Sequence, residues 1–78
     1  MTDQEKNDLI RSIQPIEYFS LTHICLQSDY KKDEELKVLS TQINYGLAAR
    51  KEFVQLCIHK GYVPLEQVKA KLDELRNR

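Results

Sequence analysis

Glycine, proline and cysteine are each present only twice in these 78 residues, and the chain carries no net charge. Two glycines leave no glycine-rich turn to form an oxyanion hole, and a catalytic thiol would also need solvent access and a neighbouring base. An enzyme is therefore not expected. Two cysteines, Cys25 and Cys57, are too few for a disulfide framework. The 12 basic residues are matched by 12 acidic ones. Residues 1–30 are mildly acidic and the remainder mildly basic, which gives no patch of the kind that drives nucleic-acid binding through counterion release. No apolar run approaches the roughly 20 residues a membrane span needs. The opening Met1-Thr2-Asp3-Gln4-Glu5-Lys6 has no apolar segment to act as a signal peptide. A cytoplasmic location with both thiols reduced is the resulting expectation.

Residues 1–78 are read as a single helical domain. A chain this short buries only about 60% of its unfolded surface, so its core is marginal unless disulfides, a metal or oligomerisation adds to it. With too few cysteines for a disulfide framework, oligomerisation is the first candidate.

What the sequence does contain is helical periodicity. Thr2 and Glu5 have the spacing of a capping box, opening a helix from Asp3 to Gln14 with Leu9, Ile10 and Ile13 on one side. Pro15 disfavours helical backbone at Gln14 and ends or kinks that helix. From Ile16 to Ser28, Tyr18, Phe19, Leu21, Cys25 and Leu26 spread over a wide arc of a helical wheel. The same stretch read as a strand does not split into apolar and polar faces, and a lone strand has no partner. A second helix is preferred. Ser28-Asp29-Tyr30 is a connection, because Ser and Asp side chains compete for the helical backbone.

The dominant pattern runs from Lys32 to Lys60. Leu36, Leu39, Ile43, Leu47, Val54 and Cys57 recur three, four or seven residues apart, which predicts one long central helix. Unbroken, its 29 residues would span about 43 Å, and a break near Tyr45-Gly46 is the alternative. Lys60-Gly61-Tyr62-Val63-Pro64 punctuates the chain, with Gly61 suited to the left-handed turn that closes a helix. A last helix from Pro64 to Asn77 places Leu65, Val68, Leu72 and Leu75 on one face. The fold class is thus all-α, a small bundle of three to four helices with one long central helix. A homodimer pairing two central helices would bury the excess length.

Three constellations bear on function. His23-x-Cys25 and Cys57-x-His59 form a palindrome of zinc-ligand types, but residues two apart on a helix point about 200° apart and do not converge on one ion. No metal and no cofactor are expected, and Cys25 and Cys57 read as small core residues. A helix-turn-helix can be drawn with Leu39–Tyr45, Gly46 as turn and Ala48–Ile58 as recognition helix. Gln42 and Glu52 occupy positions that want small or apolar side chains there, and Arg50, Lys51 and Glu52 form a mixed face.

The third constellation is the central stripe around Gly46. Glycine permits close helix approach, and Arg50 lies where a sealed core would prefer leucine. Ile43, Gly46, Leu47, Arg50 and Val54 are therefore the expected partner-binding residues. The expected function is a small regulatory or adaptor protein whose helices bind a larger protein partner or a second copy of the chain. The alternative is a small helical DNA-binding regulator or antitoxin.

Overall fold

The punctuation at Pro15, Ser28-Asp29 and Gly61-Pro64 separates helices as anticipated. The computed structural model describes residues 3–77, so the Thr2–Glu5 cap lies outside the described residues. Every regular element among the described residues is helical: α1 (Asp3–Ser12), α2 (Glu17–Leu26), α3 (Glu34–Ser40), α4 (Leu47–His59) and α5 (Leu65–Arg76). Short 3₁₀ turns at Tyr30–Lys32 and Ile43–Tyr45 precede α3 and α4. The strand reading of Phe19–Leu26 is thereby removed. No helix of the described residues is long and apolar enough to cross a membrane.

The long central helix does not form, and five helices replace the expected three to four. The physical cause sits at Ser40-Thr41. Their hydroxyls donate back to the carbonyls of Lys37 and Val38, both at 2.7 Å, a local bonding that competes with helix propagation. The chain then turns through Ile43–Tyr45, and Gly46, in extended backbone, stands at the N-terminus of α4. Folding back lets Leu36, Leu39 and Ile43 join the same core as Phe53, Val54 and Cys57. The apolar stripe is real, but one half of it covers the other. A continuous rod of about 43 Å would also overrun a molecule whose longest extent is 32 Å. The excess length that motivated a homodimer is therefore gone.

Helix α4 is the hub, touched by α1, α2 and α3, while α5 packs on α2. It closes at Gly61, whose φ of +82° is the left-handed conformation a side chain would strain. The N–H groups of Gly61 and Tyr62 donate to the carbonyls of Ile58 and Cys57, forming a Schellman cap. Helix α3 starts at Asp33, whose carboxylate accepts the Leu36 N–H. Lys60, just past the end of α4, bridges Asp33 and Glu35 at 2.8 Å each and fixes the end of α4 beside the start of α3.

A second electrostatic tie joins residues far apart in the sequence. Arg76 near the end of α5 grips Glu17 through Nε at 2.9 Å and Nη2 at 3.1 Å. It also donates to the Ser12 carbonyl at 2.8 Å, so one guanidinium joins α1, α2 and α5. Glu17 is buried and also accepts the Gln14 N–H.

These pairs set an acid limit on stability. The Arg76 guanidinium holds the Glu17 carboxyl below its ordinary range against the opposing effect of burial. Lys60, with help from the Leu36 N–H, does the same for Asp33. A carboxylate whose folded pKa is depressed stabilises fully above its unfolded pKa, and that contribution is lost as pH falls through the folded value. The melting temperature is therefore expected to decline below about pH 4, near the ordinary carboxylate range. The decline should be shallower in Glu17→Gln, and thermal melts of both proteins from pH 7 to pH 2.5 check it. An identical acid slope in the two would refute the assignment.

Candidate functional site

Helix α2 has one carboxylate, Glu17, and that group is buried and paired. No other residue of α2 carries a fixed charge, in a chain with 31% charged residues. Its inward side is Tyr18, Leu21, Thr22 and Cys25. Its outward side, at about 100° per residue, is Ile16, Phe19, His23 and Leu26, spaced three, four and three apart. Ile16 is 77% exposed and Phe19 47%, and Leu26 is exposed as well. A helix this rich in apolar side chains usually turns them inward, yet Ile16, Phe19 and Leu26 face solvent. Exposed apolar side chains grouped in this way, here around His23, are the kind of feature on which interaction surfaces are built.

The start of α4 adjoins that stripe. The Arg50 guanidinium lies 4.7 Å above the centre of the Phe19 ring and donates to Asn44 Oδ1 at 3.2 Å. Next along the chain from Asn44, Tyr45 is 84% exposed. Lys51 in turn stacks on Tyr18, with Nζ 5.8 Å from the ring centre, and the Tyr18 hydroxyl accepts from Gln55 at 3.0 Å. At the Ile16 end of the stripe, Gln14, Ile16, Glu17, Ser20 and Leu75 line a cleft of about 350 Å³ between α2 and α5.

The five residues expected to bind a partner fall into two groups. Ile43 and Val54 are buried in the core of this chain. Gly46 is exposed and Leu47 and Arg50 are half-buried, so these three remain at the surface. A Cβ at Gly46 would meet nothing within 4 Å, so close approach inside the chain is not what Gly46 provides. Arg50 lies beside the core for a different reason than expected, as a cation resting on an exposed phenylalanine.

Phe19, Ile16 and Leu26 were not singled out from sequence. The available signal was the lone charge of α2, which marks Glu17 as a tied residue and leaves the rest of the helix without a charged face. The helix drawn over Leu39–Tyr45 in the helix-turn-helix reading does not form, since α3 ends at Ser40.

The His-x-Cys palindrome is pulled apart by the fold. Cys25 and Cys57 both lie in the core as free thiols. The neighbouring Cys57 thiol and, after it, burial push the Cys25 thiol far up. His23 and His59 are exposed. Among the described residues no three His, Cys, Asp or Glu side chains group closely enough to hold a metal ion. No protein family, curated protein or solved structure matches the chain.

Proposed function

We propose that this chain is a non-enzymatic regulatory or adaptor protein that binds a larger protein through the outward side of α2 and the adjoining start of α4. One observation carries the reading: α2 offers solvent no fixed charge and three large apolar side chains, Ile16, Phe19 and Leu26. Arg50, resting on the Phe19 ring, extends that surface to the start of α4. Aromatic residues and arginine are among the residue types that dominate interface energetics.

The test compares the wild-type chain with an Ile16→Ser/Phe19→Ser variant as baits in an extract of the native host, using quantitative mass spectrometry. Both positions are exposed, so the variant should keep its helicity and melting temperature closely, which circular dichroism verifies. A protein retained by the wild type and depleted at least tenfold on the variant is the expected result. Equal retention of every captured protein by both baits would overturn the reading.

A further inference from the structure

Resting on the reading of the α2 surface as a protein-binding site, we infer that its occupant is an amphipathic helix of another protein, carrying a carboxylate that meets Arg50 and a large apolar side chain that enters the cleft between α2 and α5. Charge decides the class of partner. Arg50 is held in place by Phe19 below it and Asn44 beside it, yet among the described residues no carboxylate lies within ion-pair distance of it. Glu52, two positions along α4, falls about 200° around the helix and faces elsewhere. Glu17 is already bound by Arg76. The result is a planar donor fork, pre-oriented and unneutralised, at the edge of an apolar stripe. Such a fork recognises a carboxylate bidentately.

The same facts argue against a second copy of the chain. A two-fold interface brings a patch against itself. This patch has a cation at its edge and no exposed carboxylate on the outward arc of α2, so self-pairing leaves two unneutralised guanidiniums near one apolar contact. Shape selects a helix. Ile16, Phe19 and Leu26 span about 15 Å along the helix axis within an arc of about 80°, and a helix laid beside them presents residues three, four and seven apart along that length. The cleft at the Ile16 end has about 350 Å³, ample for one large side chain, since a dry cavity of about 150 Å³ admits benzene.

The test selects binders from a displayed library of 16-residue helical peptides on the immobilised full chain, then measures the best synthetic peptide by fluorescence anisotropy. Enriched peptides should share Asp or Glu at one position and apolar residues at helical spacing from it. Arg50→Glu, shown folded by circular dichroism, should weaken the best peptide at least 20-fold. A peptide with its acid changed to lysine should recover at least fivefold on Arg50→Glu relative to wild type.

Absence of enrichment, neutral or basic consensus peptides, or an Arg50→Glu variant that binds like wild type would overturn the inference. Binding lost in Phe19→Ser but unchanged in Arg50→Glu would remove the acidic helix while leaving the protein-binding surface standing. Peptides indifferent to both substitutions would remove both. A chain dimer in sedimentation velocity that Phe19→Ser dissolves would replace the inferred occupant with a second copy. A single-stranded 20-nucleotide probe that displaces the peptides at physiological salt would replace it with nucleic acid.

Discussion

Phe53→Ala is expected to destabilise the fold by about 3–5 kcal/mol, the range for deleting a buried aromatic ring. Phe53 is fully enclosed, and its ring meets that of Tyr30 edge to face with centroids 5.4 Å apart. Such a pair adds about 0.5–1.5 kcal/mol beyond area burial. The site has little means of collapsing, because Phe53 belongs to the helix on which α1, α2 and α3 converge. A domain of this size has roughly 4–12 kcal/mol of total stability, so the variant should be partly unfolded near body temperature. Urea titration followed by circular dichroism at 25 °C measures the effect. A loss under about 1 kcal/mol would mean that the α4 core is looser than its packing indicates. The comparison with Phe19 is the informative one. The same side chain on α2 is exposed, and Phe19→Ser should leave the midpoint nearly unchanged while removing the ring beneath Arg50.

That contrast marks how far the sequence could be read. The boundary at Gly61-Pro64 was legible because two residues with special backbone requirements stand there, and α5 begins at Leu65 as its spacing demands. The helical nature of Glu17–Leu26 was legible by elimination of the strand. The break after Ser40 was not. Leu39, Ile43 and Leu47 keep a spacing of four across it, and that periodicity survives because both flanking segments turn their apolar sides toward one core. Periodicity reports that a residue is covered and is silent on what covers it. Paired hydroxyl residues followed by Gln42, Asn44 and Gly46 were the local sign of the turn.

For the site, the limit is geometric. Arg50 was singled out because an arginine interrupts an apolar stripe, and it does stand at the surface. Phe19 was invisible as its platform, since a wheel on which apolar residues cover a wide arc does not say which half of the arc is buried. Glu17 was the missing landmark: a single carboxylate on an apolar helix has to be paired. Its partner Arg76 is 59 residues away, beyond any local pattern. Once Glu17 is placed inside, helical geometry turns Ile16 and Phe19 outward.

The second large effect concerns α5, which closes the cleft next to the binding surface. Leu72→Ala is expected to cost about 2–5 kcal/mol, as for other fully buried leucines. Leu72 is 1% exposed, and Leu65 and Val68 are buried on the same face. A 12-residue helix has little stability alone, so α5 stays folded by docking that face. Its detachment would release the Arg76 grip on both Glu17 and the Ser12 carbonyl. Leu75, which lines the cleft, would move with it. The loss of stability should therefore be accompanied by faster amide exchange across α5 and at the junction of α1 with α2, with α4 protected to the end. Hydrogen exchange read by mass spectrometry on Leu72→Ala separates this from uniform loosening. A stability change within about 0.5 kcal/mol, the range usual for exposed sites, would show that α5 does not hold the fold. Exchange that accelerates equally in α4 would show instead that the five helices open as one unit, leaving the cleft no independent mobility with which to admit a partner's side chain.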